Sequence, residues 1–322
     1  MLLSVVFSFR NEEKVLEELI STTASVLSGA DIDFELIFVN DNSDDNSLEI
    51  LKSHRAKDER IKIVNMSRRF GVSPCVMAGM RFAKGDAVVY LDADLQDPPE
   101  VIPKMVALFN NGADVVHTVR TERSGESAGK MWITSWAYKV INRISDISLP
   151  ENAGDFKLIS RRVVAELIKL NEYQPYTRGL IPWVGFRQET IEYKRNSRFA
   201  GETKFPLFQS RGPLNEFVKG ITSFSEIPLY LSLFIGFSVS ALSFLYLIVV
   251  LFKKLNGWNL PGWTAIMGVT LLLGGIILFT NGVIGIYIGR IYNNVKGRPA
   301  YIIDDTIGFE ESPPDDNGRQ QS

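Results

Sequence analysis

The chain predicts an α/β fold built on a mostly parallel sheet, followed by a pair of long apolar helices. Three observations carry this. Short β-rich apolar runs alternate with helical patterns over residues 1–100, one such run stops at two carboxylates a single residue apart, and two later stretches hold no charged side chain. Such alternation implies a doubly wound parallel sheet, in which each helix covers the crossover between neighbouring strands. A hydrophobic content of 45% in 322 residues is ample for a core.

In chain order, the expected elements are a strand over Leu2–Phe9, a helix from Glu12, a strand over Phe34–Asn40 and a helix after Asp44. A strand over Ile61–Met66, a helix after Gly71, a strand over Ala87–Leu91 and a helix opened by Pro98 follow, with Ala113–Val119 continuing the sheet. Asn11 and Asp44 are the expected caps of the first two helices. Loops at the strand carboxyl ends, Arg10–Glu12, Asp41–Ser43, Ser67–Gly71 and Asp92–Asp97, should converge on one crevice, where open α/β sheets bind ligands. The polar segment after Val119, Thr121–Gly129, reads as a mobile lid ahead of a helix through Trp132, Trp136 and Tyr138.

The run Val88-Val-Tyr-Leu-Asp-Ala-Asp-Leu-Gln-Asp-Pro-Pro99 constrains function most. Side chains of an extended segment alternate faces, so Asp92 and Asp94 point the same way and can meet one cation. Oxygen ligands favour Mg²⁺ or Mn²⁺. An ion held at the end of a sheet strand is placed to neutralise a diphosphate leaving group, which points to transfer of a group from a nucleotide. The competing reading is an acidic turn that merely ends a strand, and the two-carboxylate spacing alone does not decide between them.

Charge and composition exclude other classes. Lys and Arg number 35 against 37 Asp and Glu, a net charge of −2 that leaves no footprint for nucleic acid. The lone Cys75 excludes an internal disulfide, and two histidines, His54 and His117, argue against a histidine-rich zinc site.

Residues 228–252 and 263–288 carry no charged side chain, and about 20 apolar residues cross a bilayer as a helix. A buried soluble hairpin is the alternative; the uncharged length favours the span. The short turn-forming linker between them makes a hairpin that returns to its starting side. The start Met1-Leu2-Leu3 has no basic leader, and Arg211, Lys219, Arg290, Lys296 and Arg298 flank the hairpin, so that side is expected to be cytoplasmic at the plasma membrane. Lys253 and Lys254 on the far side run against the rule. Residues 187–219 hold seven Lys/Arg against four Glu, a basic collar suited to lipid headgroups or substrate phosphates. Residues 206–224 read as an interfacial amphipathic helix. The tail from Asp304, with six acidic residues, one Arg and two adjacent prolines, reads as disordered. The expected division is a catalytic domain over 1–204, interfacial helices over 205–226, the hairpin over 227–290 and a cytoplasmic tail over 291–322.

Several motifs occur in one order: Asp92-Ala-Asp-Leu-Gln-Asp-Pro-Pro99, Gly154-Asp-Phe156, Trp183-Val-Gly185, Thr203-Lys204, Gly220-Ile-Thr-Ser-Phe-Ser225 and Tyr287-Ile-Gly-Arg290. Together they resemble the membrane-anchored glycosyltransferases of family 2 that move a sugar from a nucleotide onto a polyprenyl phosphate, such as dolichyl-phosphate mannose synthase and undecaprenyl-phosphate glucosyltransferases. The resemblance spans most of the chain and implies a GT-A fold, a UDP-sugar donor with UDP-glucose first, a polyprenyl phosphate acceptor, Mg²⁺ or Mn²⁺, and a possible homotetramer. Residue by residue, it implies that Glu12, Asp41, Asp92, Asp94 and Gln96 hold the nucleotide sugar and that Asp92 and Asp94 bind the metal. Asp155 then stands beside the attacking acceptor as the second catalytic carboxylate with Asp94, as a general base or an orienting group. Arg120, Arg123, Lys130, Arg195, Arg198 and Lys204 match basic positions for the acceptor phosphate and the donor diphosphate.

The chain departs from the family pattern at Ser8, Arg10, Asn42 and Arg69, which bear on base identity, and at Ile286, where an uncharged residue costs less in lipid than the family's Glu. Asn42 replaces a Gly and is able to take a left-handed turn. Competing readings are a transferase using GDP-mannose, a processive polysaccharide synthase, whose Gln-x-x-Arg-Trp motif is absent, and an inactive membrane scaffold that keeps the fold.

Overall fold

Strands β1 (Leu2–Phe9), β2 (Asp33–Asn40), β3 (Ile61–Met66) and β4 (Ala87–Asp92) alternate with helices α1 (Leu16–Gly29), α2 (Ser47–Arg55) and α3 (Val72–Phe82). This computed structural model describes residues 1–121, 153–170, 172–195, 220–256 and 262–310. The four strands pair in parallel, β1 lying between β2 and β4 and β2 beside β3. Leu3 to Phe9 are all buried, because helices cover both faces and a parallel strand then reads as a continuous apolar run. Phe7 and Phe38 stack at 4.9 Å on one face. On the other, α3 lies so near β1 that a Cβ at Gly79 would meet Val6 Cγ1 at 2.3 Å.

A single 3₁₀ turn, Pro99–Val101, leads into α4 (Ile102–Asn110), as Pro98 predicted. Then come β5 (Val115–Arg120), β6 (Ala153–Ser160), α5 (Arg161–Lys169), α6 (Thr177–Trp183) and β7 (Gln188–Tyr193). β6 inserts antiparallel between β4 and β5, and β7 runs parallel to β5. With β8 (Ile303–Ile307) the sheet has eight strands in the order β7-β5-β6-β4-β1-β2-β3-β8.

Two expectations are corrected. Asn11 and Asp44 cap no helix: the first helix starts at Leu16, after a turn in which Val15 N and Leu16 N donate to Glu12 O, and neither helix has a side-chain cap. Because β1 and β2 are neighbours, the two residues meet instead: Asn11 Nδ2 donates to the Asp44 carboxylate and Asp44 N to Asn11 Oδ1 at 3.0 Å. The tail is also ordered beyond Asp304, since β8 pairs antiparallel with β3. Its apolar anchors are thinly spread among acids, which hid the strand; Ile307 packs on the core and the Phe309 ring lies 4.8 Å from that of Phe82. Residues 311–322 lie outside the described residues.

The chain divides into two compact units, Met1–Gly220 together with Pro299–Ser322, and Ile221–Arg298. The second holds α7 (Ile227–Leu255) and α8 (Trp263–Val295), which pack on each other. Ile227–Val250 and Gly268–Val295 are long and apolar enough to cross a bilayer. Their outward side chains are exposed, Phe237 and Leu271 among them. Two motifs distant in sequence meet here: Tyr287 Oη donates to Ser225 O at 2.7 Å and Arg290 Nη1 to Ser223 Oγ at 2.6 Å. Residues 220–224 are helical; the rest of the expected interfacial helix lies outside the described residues.

Candidate active site

Parallel strands end at one edge, and that edge gathers Arg10, Asp41 and Asp92. Ser8 on β1 stands level with Asp92 on β4, and Phe9 with Asn40 on β2. The antiparallel β4–β6 pair sets Tyr90 against Lys157. Continuing that register by two residues brings Asp92 opposite Asp155, so two carboxylates 63 positions apart in the sequence share one face.

Asp92 carries the cost of that crowding. Burial, and then the charges of Asp155, Asp94 and Asp97, push its pKa up to about 7. Asp155 differs. Burial would raise it, but the Arg178 guanidinium, helped by Lys157 and Arg120, outweighs burial and holds the carboxyl below its ordinary value. Arg178 Nε donates to Asp155 Oδ1 at 2.7 Å and Nη2 to Oδ2, the two-pronged geometry that suits arginine and carboxylate. Lys157, fully buried beneath the pair, is pushed down to about 8 by burial.

A second acidic anchor lies at Asp97. Tyr193 Oη donates to its Oδ1, Arg195 Nε approaches that oxygen at 3.4 Å and Arg120 Nη2 at 3.8 Å. Arg195 also lies 3.9 Å from Asp94. Asp94 Oδ1 accepts the Gln96 amide at 3.1 Å across Leu95, a residue held at φ 54°. A leucine in the left-handed region is strained, and such strain is tolerated where surrounding contacts enforce a functional turn.

The donor set fits a hard divalent cation. Among the described residues no group of three or more His, Cys, Asp or Glu is placed to hold a metal ion by itself. None is needed, because Mg²⁺ is commonly held by one or two carboxylates and completed by substrate phosphates and water. The geometric sign is the register that sets Asp92 opposite Asp155 with Asp94 two residues on, a set of oxygen donors that suits a hard cation.

On the β2 side, Asp41 is buried and accepts Phe70 N at 2.6 Å and Gly71 N at 3.0 Å, which clamps the loop before α3. Asn42 takes the left-handed conformation expected of it, at φ 56°. Glu12 sits half-buried in the neighbouring turn, its N–H donating to Ser47 Oγ at 3.0 Å. Gly154 has a stated reason to lack a side chain, since a Cβ there would lie 2.9 Å from Arg120 Nη2. Of the expected basic cluster, Arg120 and Arg195 reach the carboxylates, whereas Arg123, Lys130, Arg198 and Lys204 lie outside the described residues, as does the expected lid beyond Thr121.

Arg178, Asp97, Tyr193 and Lys157 were not singled out by sequence reasoning. Arg178 offered the clearest signal: it is the only charge in Tyr176-Thr-Arg-Gly-Leu-Ile-Pro-Trp183, a short apolar helix leading into a recognisable motif. Asp97 was visible inside the acidic motif but had no partner until the sheet placed β5 and β7 beside it.

An open α/β sheet with acidic and cationic side chains gathered at its strand carboxyl ends presents a ligand site of the kind that suits a phosphorylated nucleotide. The model of glycosyl transferase family 2 matches residues 4–168, and the chain belongs to that family. It is 43% identical to an uncharacterized glycosyltransferase of Bacillus subtilis, YkcC, over 95% of this chain and 94% of the relative. It is 40% identical to an uncharacterized glycosyltransferase of Synechocystis, sll0501, over 97% of each. The SfII prophage-derived bactoprenol glucosyl transferase of Shigella flexneri is 38% identical over 94% of this chain and 97% of its own length. The protein is therefore a glycosyltransferase.

Proposed function

We propose that the protein transfers glucose from UDP-glucose, with inversion, to the phosphate of a polyprenyl phosphate such as undecaprenyl phosphate, on the cytoplasmic face of the membrane. The observation that carries this reading is the pairing of a carboxylate cluster, Asp92, Asp94 and Asp155, with the guanidinium groups of Arg178, Arg120 and Arg195 in one place. One set suits a cation and a sugar diphosphate, the other an anionic acceptor. The full-length likeness to a bactoprenol glucosyl transferase supports the lipid acceptor and the sugar, and two helices able to cross a bilayer support access to it.

Asp92 and Asp94 would hold Mg²⁺ or Mn²⁺, which supplies neutralisation of charge on the departing nucleoside diphosphate. A phosphate monoester has a second pKa of about 6, so the acceptor attacks as its own anion and no side chain has to remove a proton. Asp155, kept ionised by Arg178, serves as an orienting group: it fixes the guanidinium that faces the acceptor. Asp97 does the same for Arg120 and Arg195. As the acceptor oxygen bonds to the anomeric carbon from one face, the bond to the diphosphate breaks on the other and its electron pair leaves with the nucleotide. Fixed cations along that line stabilise the separating charges without reorganising.

The test is sugar transfer to undecaprenyl phosphate in detergent from a panel of radiolabelled UDP- and GDP-sugars, with Mg²⁺ or Mn²⁺. The expected result is a mild-acid-labile glycolipid formed from UDP-glucose. A GDP-mannose product would move the donor, and metal-dependent nucleotide binding without any product would favour an inactive scaffold.

A further inference from the structure

The segment that follows α8 comes back to the sheet, and where it lands bears on the donor. β8 forms the edge next to β3, with Asp305 level with Asn65, Asn65 level with Asn40 on β2, and Asn40 level with Phe9 on β1. The polar members of this row are joined by hydrogen bonds. Asn65 Nδ2 donates to Asp305 Oδ1 at 2.7 Å, and Asn40 Nδ2 donates to Asn65 Oδ1 at 3.0 Å. Asn40 Oδ1 then accepts Ser43 N at 2.9 Å, and Ser43 Oγ accepts Asn11 N at 3.1 Å. Asn40 and Asn65 are buried, where an amide is tolerated only if its partners are in place.

A second line leaves the same segment. Ser67 N donates to Ile302 O at 3.0 Å, at the start of the loop whose Phe70 and Gly71 amides clasp Asp41. Both loops that flank Asp41 are thus held from the returning segment, one through side chains and one through backbone. Phe309 against Phe82 seats that segment on the end of α3.

We propose that Asp305 is a positioning residue for the nucleotide donor: through Asn65 and Asn40 it fixes the turn at residues 41–43 that presents Asp41. The choice of donor as ligand rests on the function proposed above; the relay itself does not. The carboxyl-terminal segment is then part of the donor site's support, and a chain cut before residue 303 lacks it.

The full-length protein in detergent tests this with three variants, Asp305→Ala, Asp305→Asn and Asn65→Leu. The readouts are amide hydrogen exchange over residues 40–47 and 301–309, UDP affinity with Mn²⁺, and the KM for the lipid acceptor. Asp305→Ala is expected to speed exchange over 40–47 and weaken UDP about fivefold, the low end of coupling between separated sites, with acceptor KM unchanged. Asp305→Asn keeps an acceptor oxygen and is expected to behave as wild type. Asn65→Leu breaks the relay without removing a backbone group of β8, so it should loosen 40–47 while 301–309 stays protected. Wild-type exchange at 40–47 in Asp305→Ala and Asn65→Leu overturns the proposal, as does loosening confined to 301–309. Failure of the wild type to bind UDP would sink the donor assignment, whereas exchange at 40–47 judges the relay on its own.

Discussion

The two sides of the crevice are built by different physics. On the side of β1, β2 and β3, the buried polar groups rest on amides: Asp41 accepts the Phe70 and Gly71 amides, Asn40 bonds Asn65 and Ser43 N, and the ion pair at that end, Arg10 with Asp44 at 3.9 Å, is exposed. On the side of β4, β5, β6 and β7, carboxylates are balanced by whole positive charges, Asp155 by Arg178 and Asp97 by Arg120 and Arg195. Amide hydrogen bonds fix shape and change little with pH or salt. Ion pairs in a half-buried crevice fix shape too, but they also set a field, and losing one member leaves the other charge uncompensated. In the function proposed above, the first side would hold the nucleoside and the second would manage phosphate charge.

The largest expected effect falls on the charged side. Asp94→Ala should lower sugar transfer by about 100-fold or more, the scale of losing one electrostatic element of a transition state, while the thermal midpoint changes little. Arg178→Ala comes next. It strands the Asp155 charge and should destabilise the catalytic unit by about 2 kcal/mol, below the cost for a fully buried pair because the guanidinium is partly exposed; Asp155→Asn with Arg178→Ala should recover much of this in denaturant melts.

A smaller effect is pH-dependent. His117 on β5 is buried, and burial with the Lys157 charge pushes its pKa down to about 4. The unfolded chain, near 6.5, therefore binds the proton more readily between those values, so stability is full above pH 6.5 and lost as pH falls towards 4. His117→Leu should remove that part of the acid slope, about 1.4 kcal/mol per pH unit at most. The smallest effect sharpens the contrast: Gly154→Ala pushes against the flexible end of Arg120, so stability should change by less than about 1 kcal/mol while acceptor KM rises. Equal sensitivity of acceptor KM to Asn40→Ala would erase the distinction between the two sides.

The same division governs what was legible in the sequence. β1 to β4 follow one another with a helix between each pair, so apolar runs and turn residues mark them locally, and the acidic motif at the end of β4 announces the site. Asn42 in a left-handed turn agrees with the resemblance, which places a Gly there, and with an Asn's ability to take that conformation. The charged side is assembled by insertion: β6 enters antiparallel from a distant part of the chain and brings Asp155 to Asp92, and Arg178 reaches Asp155 from a helix 23 residues on. No periodicity records such a meeting. β8 escaped notice for a related reason, since its partner β3 lies some 240 residues earlier and its own composition is acidic. Local pattern finds elements; partners brought together by tertiary pairing have to be seen.

The most direct measurement compares undecaprenyl phosphate with undecaprenol as acceptors for UDP-glucose, using wild-type protein in detergent across pH 6 to 9. The account predicts turnover with the phosphate alone and a rate that holds level above about pH 7, where the acceptor is already a dianion. Transfer to the alcohol, with a rate rising on deprotonation of a side-chain base, would contradict it.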